Sequence, residues 1–140
     1  MLAACGPGKQ EFSDQLLGSW LIETEKAISC TRFYDDGGEF RRIKIYAQYH
    51  GADAIGLKKG YYYTARGRRW WDHTDVIYDR RGRLIAPEQR SGHRRFFYAL
   101  ELDEVSMTFV KADTKGAEKS IAYRTDSCDK FAAQLPEHTN

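Results

Sequence analysis

The stretch LGSWLIETEKAISCTRFYDDGGEF, residues 17–40, decides how the chain is read. Just upstream, FSDQLL (residues 12–17) has the composition of one short helical turn, and Gly18 ends it. Beyond Gly18 the period becomes two. Trp20, Ile22 and Thr24 alternate with Leu21, Glu23 and Glu25, and then Ser29, Thr31 and Phe33 alternate with Cys30, Arg32 and Tyr34. Successive side chains of a strand point to opposite faces, so alternation of this kind predicts two half-buried strands. Asp35-Asp36-Gly37-Gly38 follows as a hairpin turn, because glycine takes positive φ without steric cost.

The same reading extends outward from this stretch. Residues 39–49 place Arg41, Ile43, Ile45, Ala47 and Tyr49 on one face and Phe40, Arg42, Lys44, Tyr46 and Gln48 on the other, a long antiparallel strand with one drier side. Residues 50–59 carry two glycines and no sustained period, which predicts a loop. A hairpin is expected from Gly60–Thr64 through Ala65–Arg68 into Arg69–Tyr78, and a further turn at Asp79–Gly82. After a polar connection at 86–93, Phe96, Tyr98, Leu100 and Leu102 share one face before the Asp103-Glu104 turn. Val105, Met107 and Phe109 share one face after it, and Ser120–Thr125 is the last strand. About eight short strands in sequential hairpins predict an all-β fold: a single antiparallel up-and-down β-barrel with a short N-terminal helical turn. A β-sandwich is the competing architecture. Residues 1–11 read as a tether, 12–130 as the barrel domain and 131–140 as a C-terminal tail.

The totals limit the function classes. The 22 basic and 20 acidic residues leave a net charge of +2, so any electrostatic role must be local rather than a global field for nucleic acid or membrane. No run approaches the roughly 18 apolar residues of a spanning helix. The cysteines sort by position. Cys30 lies early in the folded part and Cys128 near its end, so in an oxidising compartment they can close a loop as a disulfide; the alternative is two buried thiols. A meander that brings its first and last strands together fits that pairing. Cys5 stands apart, ahead of Gly6-Pro7-Gly8, where no core is available to a thiol.

Two resemblances add to this. Leu2-Ala3-Ala4-Cys5 resembles the lipobox of bacterial lipoproteins, which implies that Cys5 carries a diacylglycerol and that Gly8, Lys9 and Gln10 act as a tether. Gly6 in place of aspartate is similar to the pattern sorted to the outer membrane, so the resemblance implies a bacterial envelope protein facing the periplasm. Gly18-Ser19-Trp20 resembles the glycine-x-tryptophan signature of lipocalins and their calycin relatives, and Arg124 in Ala122-Tyr123-Arg124-Thr125 takes the place of the arginine that stacks across the indole. Gly60-Tyr61-Tyr62-Tyr63 before a tight turn is similar to small bacterial lipocalin-like proteins. The implied fold is a lipocalin-like barrel.

The densest polar and aromatic cluster is ARGRRWWDHTD, residues 65–75. Arg66, Arg68 and Arg69 there would attract an anion. Alternation sets Trp70, Asp72 and Thr74 against Trp71, His73 and Asp75, so only one tryptophan faces the interior. Arg41, Tyr49, Tyr62, Trp71, His73 and Tyr98 are the expected mouth or lining positions for a ligand. No nucleophile motif accompanies His73, and the four histidines lack metal-ligand spacing, so no catalytic residue, metal or cofactor is expected. The basic runs Arg80-Arg81-Gly82-Arg83 and His93-Arg94-Arg95 read as solvated faces that, if convergent, suit an anionic envelope component. The expected function is that of a non-enzymatic envelope lipoprotein whose barrel binds a small apolar or amphipathic molecule, with the membrane reached through the N-terminal lipid. The alternative is a protein-interaction or inhibitor lipoprotein of the periplasm that uses the barrel exterior. A five-stranded oligonucleotide-binding barrel suits the arginines and aromatics but not a lipidated cysteine, so no nucleic-acid partner is expected.

Overall fold

In the computed structural model, which describes residues 9–50, 55–78, 83–86, 93–112 and 116–135, the alternation after Gly18 becomes strand β1 (Gly18–Glu23) and then β2 (Ala27–Tyr34). The meander continues through β3 (Arg41–Tyr49), β4 (Ile55–Ala65), β5 (Arg69–Tyr78), β6 (Leu84–Ala86), β7 (His93–Leu102), β8 (Ser106–Lys111) and β9 (Ser120–Thr125). Every pairing is antiparallel. Eight of the strands close into a barrel, with β9 returning to β1, and the short β6 adds to β5 outside that circuit. Closure removes the unpaired edges that an open sheet of these strands would expose.

The inner face carries the core. Phe33, Ile43, Tyr62, Trp70, Phe97, Met107 and Phe109 are buried there. Helix α1 (Lys9–Leu16) lies across one end and sends Phe12 and Leu16 into the same cluster. Eight residues are too few for a helix to persist on its own. What holds this one is its C-terminus. The Trp20 indole donates from Nε1 to the Leu16 carbonyl at 2.9 Å, and Arg124 donates to the carbonyls of Leu17 and Gln15 at 2.7 and 2.8 Å. These carbonyls are among those that a helix end leaves without intrahelical partners. Trp20 and Arg124 are direct cross-strand neighbours, and the guanidinium carbon sits 3.8 Å from the centre of the indole. Gly18 makes room for it: its φ is +118°, and a Cβ there would lie 2.9 Å from an Arg124 nitrogen.

A second, smaller cluster forms on the outer wall. Tyr46, Ile55 and Leu57 are covered by Cys128, Leu135 and the short helix α2 (Asp129–Ala132). Cys30 and Cys128 form a disulfide that fastens this segment to β2. The cover explains why β4 begins at Ile55 rather than near Gly60. Ile55 and Leu57 lack a strand-like period in sequence because the residues that bury them come from the far end of the chain.

The inward face of β7 also differs from expectation. Phe97 and Ala99 point into the core, whereas Tyr98 is exposed. The register between β7 and β8 shifts between Ala99 and Glu101, so Leu100 is an extra residue and parity reverses there. Leu102 therefore shares the interior with Phe97 rather than with Phe96 and Tyr98.

Two outcomes follow for stability. Gly60 packs against the backbone of His73 and Thr74 where β4 meets a register shift in β5, and a Cβ there would enter the van der Waals shell of the His73 carbonyl. Gly60→Ala is expected to lower unfolding free energy by about 2 to 3 kcal/mol in urea titration, because backbone must move. The disulfide spans 98 residues, and in the chain-entropy model its reduction lowers stability by about 4 to 5 kcal/mol. The same titration with and without reductant measures that difference.

Candidate functional site

With one end stoppered by α1, space remains inside the barrel above Trp20. A cavity of about 280 Å³ lies between β1, β2, β3, β5, β7, β8 and β9. Its aromatic wall is Trp70 stacked on Phe97, with ring centres 4.8 Å apart, and Phe109 and Phe33 beside them. Ile22, Ile43, Ile45 and Met107 extend its apolar surface.

Polar chemistry enters at two points. Asp72, 1% exposed, accepts a two-pronged hydrogen bond from Arg95 Nε and one terminal nitrogen at 2.9 and 2.8 Å. A buried carboxylate needs such a partner, since its desolvation costs several kcal/mol. Arg95 also lies over the Phe97 ring at 4.8 Å. The second is Trp70, a residue of the lining whose buried Nε1 has no hydrogen-bond partner among the described residues. A buried donor left without an acceptor costs roughly 1 to 3 kcal/mol, so this N–H is ready to receive one. Lys111 and Glu118, both exposed, belong to the same lining. The ionic groups of the lining thus balance, Asp72 and Glu118 against Arg95 and Lys111.

The residues singled out in sequence do not gather at this cavity. Arg41 and Tyr62 belong to the stoppered end. Arg41 pairs with Asp14 at 2.8 Å and Asp35 at 3.3 Å and donates to Ser13 Oγ, while the Tyr62 hydroxyl donates to the Ser13 carbonyl at 3.2 Å. Burial pushes the Tyr62 phenol above its ordinary pKa. Trp71 and His73 lie on the outer wall. Trp71 is stacked between Tyr63 and Phe96, and His73 Nδ1 is 3.0 Å from the Tyr61 hydroxyl. Tyr49 and Tyr98 are exposed, on strands whose inward positions are taken by Ile43, Ile45, Phe97 and Ala99. Trp71, His73 and Tyr98, expected at the mouth or in the lining, thus stand on the outer wall, and Trp70, Asp72 and Phe97 take the inward positions of β5 and β7.

Asp72, Arg95 and the Trp70 N–H were missed as a set. The signal available was an aspartate on the same parity as a tryptophan and a threonine, an arrangement that requires a cation from another strand. Arg94 is exposed, and Arg80–Gly82 and Cys5 lie outside the described residues. Among the described residues, no three His, Cys, Asp or Glu side chains are grouped to hold a metal ion.

Removing one partner of the buried pair should cost more than removing both. Arg95→Leu is expected to destabilise by about 3 kcal/mol in chemical denaturation, and adding Asp72→Leu to it should recover most of that loss. Compared with known proteins, the chain matches no family model, no curated protein and no solved structure.

Proposed function

We propose that the chain is a lipocalin-like lipoprotein of the bacterial envelope, lipidated at Cys5, whose barrel holds a small amphipathic molecule and carries out no reaction on it. The observation that carries this reading is the aromatic cavity, in whose lining stands Trp70, an indole with no N–H partner among the described residues. Its volume is near the lower end of ligand pockets, which run from about 300 to 1,000 Å³. It suits a compact ring system or one end of a longer molecule. The balanced charge of the lining favours a ligand without net charge, and the Trp70 N–H favours one bearing a carbonyl or ether oxygen. The Cys30–Cys128 disulfide is in keeping with an oxidising compartment.

A second reading has its own support. An open groove of about 910 Å³ on the outside of β1, β2 and β9 exposes Ile121 and Tyr123 beside Leu21 and Ile28, with Glu23, Glu25 and Glu118 around them. Such a surface suits a protein partner with basic and apolar side chains.

Native mass spectrometry on protein released gently from its own envelope separates the two readings. A co-purifying small molecule, absent from a Ser29→Trp variant whose indole fills the cavity, supports the first. A co-purifying polypeptide retained by that variant and lost on Tyr123→Glu supports the second and overturns the first.

A further inference from the structure

The outer wall of the barrel carries a pattern that the cavity does not use. Across β2, β3 and β4, Arg32 stands opposite Lys44, and Lys44 opposite Lys59. Adjacent strands are about 4.8 Å apart, so these cations crowd one another. None of the three makes an ion pair among the described residues. They lie instead over rings: Arg32 and Lys44 over Tyr34, at 4.4 and 5.7 Å, and Lys59 over Tyr78 at 5.7 Å. Burial, and then Lys59, Arg32 and Arg42, hold the Lys44 ammonium below the usual lysine range, which fits a positive field without a counter-charge.

The next row on the same face, two residues along each strand, holds Tyr34, Arg42, Tyr61, His73 and Arg94. Arg42 reaches Asp36 only at 4.0 Å. The row after that is aromatic. Tyr63, Trp71 and Phe96 are successive cross-strand neighbours, and exposed Phe40 stacks on Tyr61. A chain whose total charge is only +2 thus gathers Arg32, Arg42, Lys44, Lys59 and Arg94 on one wall, bordered by rings.

The arrangement of the rings selects the partner. Tyr63 and Trp71 are 11° from parallel at 5.1 Å, and Trp71 and Phe96 are 28° from parallel at 4.4 Å. Their faces cover one another. Nucleobases stack on exposed ring faces, and both faces of Trp71, the central ring, are already occupied. Cations interleaved with tyrosines and a tryptophan meet a different need. At a bilayer surface, phosphates attract the cations while tyrosine and tryptophan settle at headgroup depth with an apolar body and a polar tip.

We propose that this wall docks on a bilayer surface rich in anionic phospholipid, as a membrane contact separate from any acyl chain on Cys5. It stands independently of what the cavity holds.

The test uses the full chain with Cys5→Ser, so that no acyl anchor contributes, in sedimentation with vesicles of phosphatidylcholine mixed with phosphatidylglycerol and with vesicles of phosphatidylcholine alone. Binding is expected on the mixed vesicles only and should fall as salt rises. At roughly fivefold per cation, Arg32→Gln, Lys44→Gln and Lys59→Gln together should weaken it about a hundredfold. A charge-matched control, Lys26→Gln, Lys111→Gln and Lys119→Gln, should leave it nearly unchanged, with circular dichroism confirming that both variants are folded. Absence of vesicle binding, equal binding to neutral vesicles, or equal loss in the two triple variants overturns the proposal. So does binding of a single-stranded oligonucleotide to this face when vesicles are not bound.

Discussion

The guanidinium of Arg124 joins the last strand to two elements at the other end of the chain, α1 and β1. It belongs to the last strand, lies on the indole of Trp20 in the first, and caps the carbonyls of Gln15 and Leu17 at the end of α1. Each contact depends on the others. The register of β1 on β9 sets arginine opposite tryptophan, and Gly18 leaves the path between them open. The indole N–H then reaches the one remaining carbonyl of the group, that of Leu16. A helix of eight residues is thereby converted into a fixed stopper, and the closure of the sheet and the closure of one barrel end become a single event.

The stopper also defines what the interior can be. Phe12, Leu16 and Tyr62 fill the space on the helix side, and Trp20 is the floor of what is left. Above it the walls are aromatic, and Asp72, the one buried carboxylate among the described residues, is held by an arginine that comes from β7. The cavity is thus a consequence of uneven filling: bulky rings at one end, and smaller Thr31, Ser29 and Ser120 among the residues lining the other part. The outer wall is shaped by a different rule. Where the C-terminal segment covers it, it is apolar; where no described residue covers it, a cationic row passes through a mixed row to an aromatic one.

Much of the architecture was legible because it is local. Alternation over residues 18–34 and 41–49 follows the pleat, and the turns at Asp35–Gly38 and Asp103–Glu104 follow from side chains that bond nearby backbone. Trp20 and Arg124 were legible as a pair through a resemblance, and in the structure they are cross-strand neighbours in contact. The early start of β4 was not legible, because Ile55 and Leu57 are buried by residues more than seventy positions away. Nor was the face of β7, where one extra residue at Leu100 inverts parity. The choice between Trp70 and Trp71 is of the same kind. Alternation shows that only one can point inward, but which one depends on register with β4 and β7.

The pairing of Trp20 with Arg124 is the point on which the account is most exposed, and a double-mutant cycle measures it directly. Trp20→Leu, Arg124→Met and the combined variant are unfolded in urea alongside the parent chain. The account predicts a coupling free energy of about 1 to 2 kcal/mol, with the amides of α1 losing hydrogen-exchange protection in both single variants. Additivity within about 0.3 kcal/mol, with α1 still protected when Arg124 is replaced, would contradict it.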